Sequence, residues 1–165
     1  VVVSALNEYF SVMTDVILKH GGTVDKFIGD GLMVFFGAPI KSVENPTLHA
    51  AKAAIEMLDA LKKLNAKWSS EGKSNLNIGI GLHTGEAIIG NIGSDKKMEY
   101  TAIGDAVNVA SRVEGLTKTL DAPIIITIDS YNKIKNQVNV KSRGEAPIKG
   151  HTKVEVFQLL KFTGN

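Results

Sequence analysis

The chain contains no cysteine in its 165 residues. Disulfides, a thiolate nucleophile and Cys-ligated zinc are thereby excluded, and a reducing compartment fits. Charge of one sign is also lacking: the net charge of +2 is too small to argue for a nucleic-acid surface. No apolar run approaches the roughly 18 residues needed to span a bilayer. The start, Val1-Val2-Val3-Ser4-Ala5-Leu6, lacks the charged flank and cleavage pattern of a signal peptide, so a cytoplasmic setting is expected. It lacks a starting Met as well, and so reads as a piece of something longer. Gly90-Asn91-Ile92-Gly93 is not a Walker-type phosphate loop, because the Gly-Lys-Ser/Thr ending is missing. His20, His49 and His151 have no metal-ligand spacing to one another. What is there is an ordinary globular balance, 44% hydrophobic and 22% charged, enough for one domain over 1–165 with a real core.

Leu6, Phe10, Met13 and Ile17 recur at helical spacing until Gly21-Gly22 stops them, predicting a helix over roughly 3–20. A hairpin follows, with strands near 23–28 and 32–36. A second helix of about twenty residues runs from Pro46 toward Trp68, with Ala51, Ile55, Leu58 and Leu61 inward. Asn77-Ile78-Gly79-Ile80-Gly81-Leu82 alternates large apolar residues with glycines, a strand onto which another element packs closely. His83-Thr84-Gly85 turns the chain into an extended stretch over 86–90. A helix starts near Asp105 as N-cap, Pro123 to Thr127 is a buried strand, a short helix lies near 129–135, and strands near 138–142 and 153–160 close the chain. Interleaved elements with hairpin-paired strands favour an α+β domain with a mixed or antiparallel sheet, with no internal domain boundary.

Two stretches carry chemistry. In Lys26-Phe27-Ile28-Gly29-Asp30-Gly31 a carboxylate sits at a hairpin tip between two glycines. Gly-Asp-Gly serves a tight turn for local reasons alone; it also leaves Asp30 open to a large ligand, as a Mg²⁺ ion shared with phosphate requires. In Tyr100 to Arg112, Asn108 and Arg112 stand four apart on one helix face. A guanidinium fork beside a neutral amide suits a phosphate or a ribose, and equally a solvated face. His83 follows a strand at a turn with no Ser or Asp partner apparent, and reads as structural. Lys149 before Gly150 is a solvated turn residue or a phosphate contact.

Together these stretches resemble the class III nucleotidyl cyclases, the adenylyl and guanylyl cyclase catalytic domain. The matching segments are Leu6 to Phe10, Lys26 to Asp30, Phe36 to Pro39, Gly81 to Gly85, Tyr100 to Arg112, and Ile148 to Gly150, in the family's order. The resemblance implies a ferredoxin-like βαββαβ core with additional strands, working as a homodimer with active sites between subunits. It implies that Asp30 is one of two metal aspartates for Mg²⁺ or Mn²⁺. Lys26 and Thr101 read the purine, Asn108 orients the ribose, Arg112 stabilises the transition state, and Lys149 neutralises the polyphosphate. One subunit gives the metal aspartates to a site; its twin gives Lys26, Thr101, Asn108 and Arg112. Lys26 only donates, which suits adenine N1, and the Thr101 hydroxyl accepts from N6. Guanylyl cyclases tend to carry Glu and Cys at these places, so ATP is the implied substrate and cyclic AMP and pyrophosphate the products. A GTP-using enzyme and a non-catalytic regulatory or dimerisation module are the alternatives.

The family's first metal aspartate lies on a strand before the first helix, followed by a phosphate-binding turn. This chain begins inside that helix. It is therefore expected to be N-terminally incomplete, with the first strand missing, and inactive when alone.

Overall fold

The computed structural model describes residues 3–28, 31–38, 44–148 and 153–164. They form two compact units, Val1–Ile78 and Gly79–Asn165, taken here in turn.

The first unit holds α1 (Val3–Lys19), the hairpin β1 (Thr23–Ile28) and β2 (Gly31–Phe35), and α2 (Pro46–Ser70). Asn45 starts α2: its side chain accepts from the Leu48 N–H at 3.2 Å, and Pro46 needs no N–H of its own in the first turn. The buried residues of α2 include Ala50, Ala51, Ala54, Met57, Leu61, Leu64 and Trp68, with Ile55 and Leu58 only half-buried. Ala51 and Leu61 thus face inward as expected, while Ala54 and Met57 take the inward places expected for Ile55 and Leu58. Tyr9, Met13, Val16 and Ile17 of α1 complete this core. Burying a side chain of the larger kinds contributes about 1.5–3 kcal/mol relative to exposure.

Polar ties fix α1 antiparallel to α2. Near one end the indole N–H of buried Trp68 donates to Glu8 at 2.8 Å, and Lys67 pairs with the same carboxylate. At the other end Lys19 and His20 both reach Glu56, at 2.9 and 3.1 Å. Lys67 and Trp68 hold Glu8 below the ordinary glutamate value, Lys19 and His20 do the same to Glu56, and Glu8 raises Lys67. Beyond α2 the Asn65 amide braces Leu76, donating to its carbonyl at 2.8 Å and accepting from its N–H at 2.9 Å.

The second unit runs β3 (Ile80–Leu82), β4 (Ile88–Ser94), β5 (Lys97–Ile103), α3 (Asp105–Thr119), β6 (Ile124–Thr127), α4 (Ile128–Ile134), β7 (Val138–Ala146) and β8 (Val154–Phe162). Its main sheet has the order β3-β6-β8-β7, with β3 parallel to β6 and the other pairs antiparallel. β6 reads Ile-Ile-Ile-Thr and is buried throughout, the pattern of a strand covered on both faces. Ile125 joins Val109, Val113, Ala146, Ile148 and Val156 in the core under α3. Tyr131 of α4 stacks on Phe157 with ring centroids 4.4 Å apart. The mixed α+β class and the αββαβ order from α1 to β3 match the expected core. β3 is only three residues, shorter than the alternation over 77–82 suggested. The hairpin strand β5 was not expected at all. Among the described residues no helix is long and apolar enough to cross a membrane.

Candidate active site

Glycine decides where α3 lies. A Cβ at Gly79 would run into the Thr117 side chain. At Gly81 it would collide with the Glu114 backbone, 2.6 Å from its Cα, and lie 2.8 Å from the Ala110 carbonyl oxygen; at Gly85 it would lie 3.1 Å from the Ala106 Cβ. Gly79, Gly81 and Gly85 thus meet one face of the helix, formed by Ala106, Ala110, Glu114 and Thr117. Asn108 and Arg112 sit two positions off that stripe, about 200° round the helix. Both are exposed, one turn apart. The amide and the guanidinium are therefore presented together on the side of α3 turned away from β3.

α3 begins differently from the sequence expectation. Its N-cap is Gly104, at φ 131°, with no side-chain cap; Asp105 is the first helical residue. A left-handed φ at that point suits glycine, and Asp105 still favours the helix from its first turn, where negative charge meets the positive end of the dipole.

Thr101 stands on β5, opposite Gly90 of β4. It is 4% exposed, and its hydroxyl donates to the Ala102 carbonyl at 3.5 Å. A Cβ at Gly90 would meet nothing within 4 Å, so the space beside Thr101 on the neighbouring strand is open. The β4–β5 hairpin exposes Ile88, Met98, Tyr100 and Ile103.

Lys26 lies on β1 opposite Met33, with 42% of its side chain exposed. A bulge between Val24 and Lys26 breaks the strand's alternation. The buried carboxylate of Asp25 lies 3.7 Å from the Lys26 ammonium, a neighbour it would not meet in a regular strand. Asp30 falls between Ile28 and Gly31, which pair across the hairpin, and Lys149 follows Ile148; both lie outside the described residues. Among the described residues no three His, Asp or Glu side chains gather to hold a metal ion. Thr101, Asn108 and Arg112 thus belong to the second unit and Lys26 to the first.

His83 has partners that the sequence did not reveal. Its Nδ1 lies 2.8 Å from the Thr127 hydroxyl and 3.8 Å from the Asp129 carboxylate. These residues are more than forty positions away in the chain and meet His83 only because β3 pairs in parallel with β6. The Ile126↔Leu82 register, which brings Thr127 beside His83, leaves no trace in local sequence.

Comparison with known proteins places the chain in a family. Residues 1–161 match the model of the adenylate and guanylate cyclase catalytic domain. Adenylate cyclase 1 of Rhizobium meliloti is 31% identical over 96% of the chain, which covers 24% of that relative. The adenylate cyclase of Anabaena cylindrica is 39% identical over 86% of the chain, which covers 30% of it. The chain therefore spans only about a quarter to a third of the length of these relatives. Among solved structures, the adenylyl cyclase CyaB from P. aeruginosa superposes with a TM-score of 0.88 at 34% identity, covering 96% of this chain and 81% of that one. The guanylyl cyclase Cya2 superposes with a TM-score of 0.89 at 36% identity, covering 98% and 81%. The exposed Asn108–Arg112 pair and the glycine-packed strand beneath it thus sit in a chain that belongs to the adenylate and guanylate cyclase catalytic domain family.

Proposed function

We propose that this chain is the catalytic part of a homodimeric adenylyl cyclase that converts ATP to 3′,5′-cyclic AMP and pyrophosphate. The observation that carries the reading is the paired exposure of Asn108 and Arg112 on one side of α3. Asn108 orients the ribose so that its 3′-oxygen faces the α-phosphorus. The new O3′–P bond forms as the bond from the α-phosphorus to the bridging oxygen breaks, pyrophosphate leaves, and the hydroxyl proton passes to water. Negative charge gathers on the phosphoryl oxygens, and the Arg112 guanidinium stabilises it there. Lys149 neutralises the polyphosphate. The work is positioning and electrostatics, which suits a chain without a nucleophilic cysteine.

Mg²⁺ or Mn²⁺, when bound, would activate the 3′-hydroxyl and hold the leaving pyrophosphate. Asp30 is the residue that would hold it. Its place in the chain, flanked by glycines between two paired strand ends, suits close approach by a metal-bound triphosphate. A second copy of the chain supplies the other half of each site. Ile88 and Ile103, cross-strand partners exposed on one face of the β4–β5 hairpin, give apolar surface that such an assembly would cover. The two compact units together make the single catalytic domain.

Adenine is read by Lys26 and Thr101. The half-exposed Lys26 ammonium donates to N1, and the Thr101 hydroxyl accepts from N6. GTP is the second reading, because an adenylyl and a guanylyl cyclase superpose almost equally well. The test is to incubate the full-length protein with each nucleotide and Mg²⁺ or Mn²⁺ and to identify the product. Cyclic AMP from ATP supports the reading. Cyclic GMP alone would select the second reading, and neither product would leave a nucleotide-binding or dimerisation module.

A further inference from the structure

We infer that His83 is a positioning residue for the cyclisation: it locks the 83–87 segment to the start of α4, and through that segment sets the first turn of α3 two residues ahead of Asn108. The inference rests on the proposed cyclase reading.

Segment 83–87 is held from one side by a buried polar latch. His83 shares a hydrogen bond with the Thr127 hydroxyl at 2.8 Å, and Thr84 shares one with the Ser130 hydroxyl at 2.8 Å. Thr127 and Ser130 are both completely buried, and Thr127 itself caps α4 by accepting from the Ser130 N–H. Only 11% of the His83 side chain is exposed. The Asp129 carboxylate lies 3.8 Å from the same Nδ1, a second polar neighbour on that side of the ring. With Thr127 and Ser130 buried, these hydrogen bonds are stronger than they would be in water.

On its other side the segment touches α3. A Cβ at Gly85 would lie 3.1 Å from both His83 Nε2 and the Ala106 Cβ, so the imidazole edge, the Gly85 turn and the first turn of α3 are in one stack. A Cβ at the N-cap Gly104 would likewise come 3.8 Å from the Ala87 Cα. The segment therefore runs alongside 104–106, and it also leads directly into β4, whose partner β5 carries Thr101. One side chain sits at the root of both the helix bearing Asn108 and Arg112 and the hairpin bearing Thr101. Gly81 and Gly79 fix the distance of α3 from the strand; the His83 latch fixes its starting end. Misplacing a reacting group by about an ångström costs on the order of 100-fold in rate, so a small slip of this turn reads out in turnover.

The test uses the full-length protein with His83→Ala, His83→Asn and His83→Gln. Asparagine places an amide group, able to donate or accept, near the Nδ1 position and glutamine places one near Nε2. His83→Ala is expected to lower kcat on the order of 10-fold or more while KM for ATP moves by less than about threefold. His83→Asn is expected to recover most of that loss, and His83→Gln is not. Hydrogen exchange of the 105–109 amides should quicken in His83→Ala and recover in His83→Asn, with the 138–146 amides unchanged. Unchanged kcat in His83→Ala, or equal losses in all three variants, would overturn the inference. If the wild-type protein makes no cyclic nucleotide, the cyclase reading fails instead. The exchange measurement then decides the latch by itself: quickening confined to 105–109 upholds it, and uniform or absent change refutes it.

Discussion

Gly81 of β3 lies against the backbone of Glu114 on α3, so close that a Cβ would stand 2.6 Å from the Glu114 Cα. The atoms in the way are main chain, which cannot swing aside as a side-chain tip can. Gly81→Ala is therefore expected to push α3 off the strand and to lower stability by about 1–3 kcal/mol or more. Urea unfolding measures the first effect. Cyclase activity should fall further than stability explains, because α3 carries Asn108 and Arg112.

Arg112 is exposed on the opposite side of the same helix and contributes nothing to the core beneath it. Arg112→Ala is expected to leave the thermal midpoint within experimental error. It should cost turnover on the order of 10²-fold or more if the guanidinium stabilises charge developing on the phosphoryl group. Steady-state kinetics with ATP beside a melting curve checks both halves.

Acid should loosen the first unit through Glu8. Its carboxylate is held below its ordinary value by Lys67 and Trp68. A depressed carboxylate stabilises the fold above its unfolded pKa, and that contribution is lost as pH falls through the folded pKa. The melting temperature of the wild-type chain should thus drop more steeply below pH 5 than that of Glu8→Gln, whose amide does not titrate. Parallel curves would show that the tie between α1 and α2 carries no proton linkage.

Much of this fold was legible because its signals are local. Gly21-Gly22 after a helical stripe ended α1 close to its observed end at Lys19, and the isoleucine run of β6 announced a buried strand. The alternating glycines near β3 foretold a close neighbour, and α3 is that neighbour. What escaped was set by tertiary context. β5 exposes most of its side chains, on both faces of the hairpin, so no apolar alternation marks it. In α2 Ala54, weakly apolar as a letter, and Met57 face inward and take the places expected for Ile55 and Leu58. The latch around His83 joins residues brought together by parallel strand pairing and has no spacing to read. At the site, the neighbourhood of Asn108 and Arg112 followed from helical period alone. The burial of Thr101 did not, because it depends on what covers the hairpin.

The measurement closest to the central claim is complementation between two defective copies of the full-length protein. Asp30→Ala removes the carboxylate proposed to hold the metal and Arg112→Ala removes the guanidinium proposed to stabilise charge. Each variant alone should be inactive. In an equal mixture half the dimers are mixed, and each mixed dimer has one intact site of two, so about a quarter of wild-type cyclic AMP production should return. Recovery to that level is the expected result. No recovery from the mixture, with wild-type protein active and mixed dimers verified by mass, would contradict an active site built from Asp30 of one copy and Arg112 of the other.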